Sequence, residues 1–298
     1  MKNLIYLLLA MPLFLASCNN EEVTLCDEEV QVSFSAELPD QFLGRASSDL
    51  NVNKVVCAVF NGTNEIESLR ETITITDASN IVYAPRLIKG RSYNVVFWAM
   101  KGDNYNVSDM KSISRAVNGS DNESDYDAFT ASTQIDVKES GTVSVTLTRP
   151  LAQLNMGISQ EDWNALTNNF GLTPKCCSIS YTANDTFNAL TGEAIGNDVT
   201  VIRSSSATGN GITVDNTEYK HIGTFYMLLA ESEKQSLDIK YTVKANDNSD
   251  IRSNVEINTV PVQRNYKTNI VGGLLTGTVT YQITIENGFN TSEHKKEI

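Results

Sequence analysis

The sequence predicts an all-β protein with two tandem β-sandwich domains and one short helix, placed between the domains or early in the second. Short segments in which apolar and polar residues alternate recur along the chain, and this period is typical of strands with one buried face. Turns rich in glycine, asparagine and aspartate separate these segments, as they do in β-sandwiches. The length of 298 residues also suits two domains, since a domain takes about 150 residues.

An export signal precedes the first strand. Lys2 is followed by an apolar run over residues 4–14, and Leu15-Ala16-Ser17 then leads to Cys18. A basic start, a short apolar core and small residues at the cleavage site make a secretory signal peptide, here residues 1–17. A cysteine at this point is typical of bacterial lipoproteins, so we predict that Cys18 carries acyl chains such as palmitate, and two chains give stable membrane anchoring. The alternative is an ordinary cleaved signal followed by a chance cysteine.

The composition argues against several classes of function. A net charge of −13 at pH 7 makes nucleic acid an unsuitable partner, because little positive charge is present to neutralise phosphates. The two histidines, His221 and His294, do not make a multi-histidine metal site and offer little for general acid–base catalysis. The sequence contains no nucleophile-elbow, zinc-protease or phosphate-loop motif. We therefore predict no catalytic residue, no metal and no cofactor.

The cysteines after Cys18 are too few to form a disulfide scaffold. We expect most of them to be buried free thiols, which pack like small apolar side chains. Disulfides stay open, because an exported protein meets an oxidising compartment. The residues concerned are Cys26, Cys57, Cys176 and Cys177.

The first strand follows an acidic tether, residues 18–29. From Val30 onward apolar and polar residues alternate strictly, and Pro39 ends the pattern. The apolar face is predicted to lie against a core and consists of Val30, Val32, Phe34, Ala36 and Leu38. The loop that follows, residues 41–53, contains Arg45 as its only arginine.

The rest of the N-terminal domain, placed at residues 30–157, is also predicted to consist of strands. Residues 54–60 and 92–100 are continuously apolar, which predicts central strands with Trp98 in the core. Segments 134–137 and 142–148 predict a hairpin about the turn Glu139-Ser140-Gly141.

A long polar stretch, residues 102–126, interrupts the strands. The acids Asp121, Glu123, Asp125 and Asp127 fall in or just after it and predict a solvated acidic loop. They lack the spacing and glycine of a calcium-binding EF-hand loop. Tyr105 and Tyr126 are expected to be exposed there, where they are candidates for contact with a ligand.

A single helix is predicted at the start of the C-terminal domain, residues 158–298. Ser159 followed by Asp162 resembles a capping box with the shorter acid, and Gly171 lies where such a helix stops. Alternating segments then recur as far as Ile285, which predicts the second sandwich.

Five stretches considered together resemble the fimbrial (type V pilus) subunit and anchor proteins of Gram-negative gut and oral anaerobes. Their order and spacing carry the resemblance, which spans most of the mature chain. The stretches are the cysteine-terminated signal, Val55 to Phe60, Lys89-Gly90-x-x-Tyr93 leading to Phe97-Trp98-Ala99, Leu147-x-Arg149-Pro150-Leu151-Ala152-Gln153-Leu154, and Arg264-Asn265-Tyr266-x-Thr268-Asn269-x-x-Gly272-x-Leu274-Leu275-Thr276. The resemblance implies a lipoprotein with two transthyretin-like, Ig-like β-sandwich domains.

The resemblance also implies a mode of assembly. Proteins of this family are exported as lipidated precursors, cut after an arginine in the loop behind the first strand, and completed by a strand from another pilus subunit. Here the cut would fall between Arg45 and Ala46, and Val30 to Leu38 would be the displaced strand. The alternative is that Arg45 is an ordinary loop arginine. The polar tail 291–298 lacks the alternation of a donor strand, which leaves anchor and tip roles open beside a stalk role.

The sequence thus predicts a non-enzymatic cell-surface fimbrial or adhesion lipoprotein, a pilus subunit, tip or anchor, that assembles by strand complementation. The partners expected are other pilus subunits, the outer membrane through the lipid anchor, and a host or bacterial surface glycan or protein. Asn19-Asn20-Glu21-Glu22 is similar to the acidic cluster that directs such lipoproteins to the cell exterior. The alternative function is a surface glycan-binding lipoprotein of a nutrient-uptake system, and an extracellular hydrolase is a third class.

Overall fold

The structure is a computed structural model that describes residues 27–39, 52–120, 122–229 and 233–286. These residues are almost entirely β-structure with one short α-helix, which confirms the predicted all-β class. The prediction of two tandem domains divided after Gly157 stays a prediction. For description we use a first half, the described residues within 27–147, and a second half, the described residues within 151–286.

The first half contains eleven strands. In chain order they are β1 (Glu29–Glu37), β2 (Lys54–Asn61), β3 (Asn64–Glu65), β4 (Glu71–Thr74), β5 (Ile81–Tyr83), β6 (Arg86–Ile88), β7 (Ser92–Met100), β8 (Tyr105–Asn106), β9 (Ile113–Arg115), β10 (Ala128–Asp136) and β11 (Gly141–Thr146). One sheet has the order β11-β1-β5, with β6 also on β1, and the facing sheet has the order β10-β7-β2-β3, with β4 also on β2. The first core lies between these two sheets.

Strand burial follows the sequence pattern. Alternation in β1 buries every second residue, whereas β7 is buried on both faces. Phe97 belongs to the first core, and its neighbour Trp98 points to the opposite face of the same strand and belongs to a different core.

The hairpin expected about Glu139-Ser140-Gly141 is wrong. β10 pairs with β7, whereas β11 pairs with β1 in the other sheet. The turn therefore crosses between the sheets. Two strands with the same period of two do not reveal from sequence whether they pair with each other or face each other across a core.

The second half contains the other eleven strands and the helix. They are β12 (Leu151–Ile158), α1 (Gln160–Asn164), β13 (Pro174–Ala183), β14 (Thr186–Asn188), β15 (Glu193–Ile195), β16 (Val199–Ser206), β17 (Gly211–Val214), β18 (Thr217–Leu228), β19 (Gln235–Ala245), β20 (Asp250–Val262), β21 (Lys267–Gly273) and β22 (Thr280–Glu286). Two sheets, β17-β18-β12-β21-β22 and β16-β13-β19-β20, enclose a second core. Since β12 pairs with β18 and β21, we propose a boundary at Arg149-Pro150 rather than after Gly157.

The helix begins as the sequence indicates. Ser159 Oγ accepts a hydrogen bond from the backbone N–H of Asp162 at 3.1 Å, and Gly171, after a further π-helical turn, has φ +65°. The acid does not complete a capping box, however. The Asp162 carboxylate accepts the backbone N–H groups of Leu275 and Thr276, each at 2.7 Å. It therefore ties the helix to the turn after β21.

A third core joins the two halves. Trp98 and Tyr105 from the first half, with ring centroids 5.2 Å apart, pack with Phe187 from the second, 5.6 Å from Trp98. Strands from both halves also share one small sheet in the order β15-β14-β9-β8, so backbone pairing crosses between them. We call this third core and shared sheet the seam.

The seam corrects two expectations about residues 102–126. Tyr105 and Tyr126 are buried, not exposed, and the Tyr105 hydroxyl donates to the Tyr126 carbonyl at 2.5 Å. Neither ring is therefore available to a ligand. Trp98 is buried in a core, as predicted.

Of the four acids of this stretch, Asp121 lies outside the described residues, and Glu123 and Asp127 are not part of a solvated loop. Glu123 and Asp127 are buried, and each pairs with an arginine. Arg115 donates to Glu123 at 2.7 and 2.6 Å, and Arg149 donates to Asp127 at 2.5 and 2.6 Å. Arg115 also donates to the carbonyl of Tyr226 at 2.6 Å, while Glu123 accepts the Tyr226 N–H at 3.2 Å, so one ion pair holds both backbone groups of a β18 residue.

Candidate functional site: the groove filled by the first strand

Strand β1 lies inside its sheet, with neighbours on both sides. β11 runs parallel to it over Val32 to Glu37, while β5 and then β6 run antiparallel on the other side. Contacts beyond the strand bounds extend the pairing: Leu38 N–H donates to the Ala78 carbonyl at 2.8 Å, and Leu147 N–H donates to the Glu37 carbonyl at 2.9 Å. If β1 is taken away, both neighbours lose their hydrogen-bond partners.

The apolar face of β1 fills a groove in the first core. Val32 is 5% exposed, and Phe34, Ala36 and Leu38 are fully buried. Val30, at the start of the strand, is partly buried against the same core. The predicted strand face is therefore the buried face, and only its first residue, Val30, is partly buried.

The centre of the groove is an aromatic slot. The Phe34 ring lies 6.1 Å from Tyr83 and 6.0 Å from Phe97, and the last two rings meet edge to face at 6.2 Å. The Tyr83 hydroxyl donates to the Leu69 carbonyl, and burial raises the pKa of Tyr83. Tyr83 is thus fixed at both ends, so the slot keeps its shape for one aromatic side chain.

A buried thiol lies in the same core. Cys57 on β2 is a fully buried free cysteine, and burial, together with the charge of Glu71, raises the pKa of its thiol. The second core holds a matching residue, Cys177, whose pKa burial also raises. Cys176, its neighbour, is half-buried. A high pKa and burial both make a thiol unreactive, so Cys57 reports on whether the groove is filled.

The entrance of the groove is charged. Three consecutive acids, Asp27, Glu28 and Glu29, pair with Arg91, Lys89 and Arg86 respectively, at 2.6, 3.0 and 3.3 Å. We call these three cations the basic mouth. The side chains are 44% to 68% exposed, so each pair alone is worth little.

Sequence reasoning missed the basic mouth and placed the acids in a solvated tether. Glu29 is already the first residue of β1, and all three acids have partners. The three adjacent acids directly before an alternating strand were the available signal. The cations they meet are 57 to 64 residues away, which no local pattern reveals.

The other predicted site residues, Cys18, Arg45 and Ala46, lie outside the described residues. The described chain ends one segment at Pro39 and starts the next at Val52, so the segment 40–51 with Arg45 directly follows β1 in the sequence. In the part of the chain that the structure describes, no group of three or more His, Cys, Asp or Glu is placed to hold a metal ion. Nor does any helix there have the length and apolar character needed to cross a membrane.

Paired sheets, a buried first strand and a charged entrance define a class: an all-β protein in which an N-terminal strand completes a sandwich. The chain belongs to the family of unknown function DUF6562, whose sequence profile matches residues 22–298. No curated protein matches the sequence.

Solved structures that are similar to this chain come from Bacteroides and Porphyromonas species. A candidate polysaccharide-binding protein (DUF1812) from Bacteroides thetaiotaomicron is 12% identical with a TM-score of 0.52, covering 87% of this chain and 98% of its own. A candidate cell adhesion protein from Bacteroides uniformis is 13% identical with a TM-score of 0.51, covering 87% and 98%. The fimbrial anchor protein Mfa2 from Porphyromonas gingivalis is 11% identical with a TM-score of 0.46, covering 87% and 98%. The first two likenesses show that this chain shares their fold over most of its length.

Proposed function

We propose that this chain is a cell-surface fimbrial or adhesion protein, structural rather than enzymatic, in which another subunit's strand replaces β1. The observation that carries the proposal is the position of β1. It is a central strand with a fully buried apolar face, and it is followed directly by a segment that contains Arg45.

Removal of β1 creates a strong acceptor for a strand. The groove then exposes the slots of Phe34, Ala36 and Leu38 and two rows of unpaired backbone groups. Burying one large apolar side chain gives about 1.5–3 kcal/mol, and the ladder hydrogen bonds add direction and register. The empty groove is therefore costly to leave open, and an incoming strand of matching pattern relieves that cost.

The family resemblance and one neighbour support this function. The Bacteroides uniformis structure of the same fold is described as a candidate cell adhesion protein. The amino-terminal end of β1 leads back toward Cys18, so a cut after Arg45 would release lipid and first strand together. Without the cut, lipidated Cys18 would hold the chain at the outer membrane as an anchor or base, facing the exterior.

Glycan binding is the second candidate, and one observation favours it: the neighbour from Bacteroides thetaiotaomicron is described as a candidate polysaccharide-binding protein. A polar cleft beside β18 is lined in part by Thr208, Asn210 and His221. Sugar sites usually add an exposed aromatic platform. The exposed aromatics of the described residues, Phe170 and Tyr281, lie after α1 and on the edge strand β22 and do not form a row. A glycan array with bound fraction as readout tests this candidate directly.

Cys57 gives a test of strand replacement. We expect the mature chain, cut by an Arg-specific protease at low enzyme ratio, to yield a fragment that begins at Ala46 and takes up an added donor strand. The groove is emptied when β1 leaves, so Cys57 should become reactive to iodoacetamide in the cut monomer and protected again once a donor strand is bound. Cys177, in the second core, should stay protected throughout.

Two variants control this experiment. Arg45→Ala should prevent the specific cut and the strand uptake, while Cys57→Ser should abolish the new alkylation without affecting the cut. A cut chain that takes up no donor strand and keeps Cys57 protected would contradict the proposal. Mass spectrometry of the alkylated peptides measures each thiol separately.

Lipidation has its own test. Cys18→Ala should abolish palmitate labelling and move the protein out of the membrane fraction. Cys176→Ser is the matched control, because it removes a cysteine far from the signal and should leave labelling unchanged. A Cys18→Ala protein that stays in the membrane fraction would refute the lipid anchor.

A further inference from the structure

The basic mouth lies where a strand that enters the groove would begin. Arg86, Lys89 and Arg91 lie on β6 and on the turn that leads into β7, next to the start of β1. In the intact chain their partners are the three acids Asp27 to Glu29, which belong to the departing segment. Once that segment leaves, three cations remain together at one end of an apolar groove.

We infer that the replacing strand is not β22 of a second copy and that it carries a run of acidic residues directly before its alternating segment. This inference rests on the proposed function. The groove therefore specifies the order of residue types in the replacing strand. Acids lie at the mouth, and aliphatic residues follow at the positions of Val30 and Val32. An aromatic residue then lies at the position of Phe34, a small residue at that of Ala36 and a large aliphatic residue at that of Leu38.

Each apolar position has a reason on the groove wall. The Phe34 slot is bounded by Tyr83 and Phe97. Ala36 is fully buried beside its register partners Ile81 and Val145, and a larger side chain would overpack this point. In the intact chain β1 runs parallel to β11 and antiparallel to β5, and this direction places the acidic end at the mouth.

A second copy of this chain does not supply that pattern with its last strand. β22 alternates Tyr281, Ile283 and Ile285, but Thr276-Gly277-Thr278 precede this segment and bring no acid. Its aromatic residue also comes too early to reach the Phe34 slot if Val279 takes the first apolar position. A strand from β22 would bring no acid to the three cations.

Competing peptides test the inference. The segment 40–51 is given a site for a sequence-specific protease, and the mature chain is cut there. Fluorescent peptides of Asp27–Pro39 sequence are then exchanged into the groove: one natural, one with Asp27→Asn, Glu28→Gln and Glu29→Gln, and one with all three acids changed to lysine. A fourth peptide has the sequence of residues 278–286. Anisotropy measures the bound fraction.

The natural peptide should bind about tenfold more tightly than the neutral one at low salt, and the lysine peptide should bind more weakly still. The difference should shrink below about twofold at roughly 0.5 M salt, because the charges are exposed. Reversing the mouth with Arg86→Glu, Lys89→Glu and Arg91→Glu should make the lysine peptide the best ligand. Lys240→Glu with Lys244→Glu, two exposed cations on β19, is the matched control and should leave the ranking unchanged.

The outcomes separate the two proposals. Equal binding of the natural, neutral and lysine peptides overturns the acidic requirement while strand replacement stands. Binding of the 278–286 peptide as tight as the natural one overturns the exclusion of β22 as the replacing strand. If no peptide exchanges, strand replacement fails and the inference falls with it.

Discussion

The protein contains two kinds of joint, by which we mean a contact that holds one part of the chain to another. Both kinds pair arginine with carboxylate. At the basic mouth the Arg86–Glu29 pair is 68% and 53% exposed, whereas the Arg149–Asp127 pair next to the seam is 1% and 0% exposed. The first joint holds a strand at the start of the described chain, and the second holds the linker between the two halves to the first half. The same chemical pair therefore serves opposite purposes according to its solvation.

The difference in exposure indicates which ion pairs can be exchanged at a low cost in free energy. An exposed pair is worth about 0–1 kcal/mol, since water solvates each partner when they part. A buried pair that loses one partner leaves a charge in an apolar surrounding, which costs about 3–5 kcal/mol. A strand latched by exposed pairs loses little charge stabilisation when it leaves, whereas opening the seam would leave buried charges without partners.

The largest expected effect is on the buried pair next to the seam. Arg149→Met should lower the free energy of unfolding by about 3–5 kcal/mol, because Asp127 is left buried without its cation. Chemical denaturation measures this loss. Adding Asp127→Leu should restore part of it, since an apolar pair removes the stranded charge. Lys240→Met, which breaks the exposed pair with Glu256, should cost under about 1 kcal/mol, and a similar cost for Arg149→Met would erase the comparison.

The second effect is on the groove. Phe34→Ala should cost about 3–4 kcal/mol, because it empties the aromatic slot. Amide hydrogen exchange should rise in β1, β5 and β11 and stay unchanged in β9 and β14 of the seam. Ser35→Ala, on the other face of the same strand, should change stability by at most about 0.5 kcal/mol. Equal loosening of the seam would show that the joints are not independent.

Ionic strength should affect the two joints differently, with a smaller effect than the two substitutions above. Raising the ionic strength from about 0.02 M to about 0.5 M screens exposed charges, so amides at the start of β1 should exchange about two- to fivefold faster. The Tyr226 amide, held by buried Glu123, should not respond. In the variant with Arg86→Gln, Lys89→Gln and Arg91→Gln the salt effect should vanish. Salt dependence at Tyr226 would argue that water reaches the seam.

The smallest effect is a pH dependence at the edge of the seam. Burial raises the pKa of Asp125, but hydrogen bonds from Lys101 at 2.5 Å and Ser120 at 2.7 Å outweigh it and hold the pKa below its ordinary value. Asp125 therefore stabilises the fold above its unfolded pKa of about 3.9, and this contribution is lost as the pH falls through the lower folded pKa. Thermal unfolding should show a flatter pH profile below pH 4 for Asp125→Asn than for the wild type. An unchanged profile would remove Asp125 from the seam's electrostatics.

The sequence predicted the site better than the seam, for a physical reason. The alternation from Val30 to Leu38 is a local record of one buried face, and the structure buries that face. Glu123 shows the opposite case. Its partners are Arg115, 8 residues away, and the backbone of Tyr226, 103 residues away, so a polar residue that looks solvated is in fact a buried contact. Composition does not distinguish a polar loop from a polar network.

The features of the site that the sequence did not predict also depend on contacts between residues far apart in the chain. The pattern showed which β1 residues face inward, but not that β11 would be a parallel neighbour, because strand pairing depends on chain topology. Likewise Asp27 to Glu29 were visible as acids, and only the fold brings Arg86, Lys89 and Arg91 to them.

The placement of β1 also has a mechanical consequence. A pull on the amino-terminal side of the chain, where the predicted anchor lies, acts along the axis of β1. The hydrogen bonds to β5 and β11 run across that axis, so the load is shared by many bonds in shear and does not peel them one at a time. The strand that we propose to be exchanged is in this way held against tension.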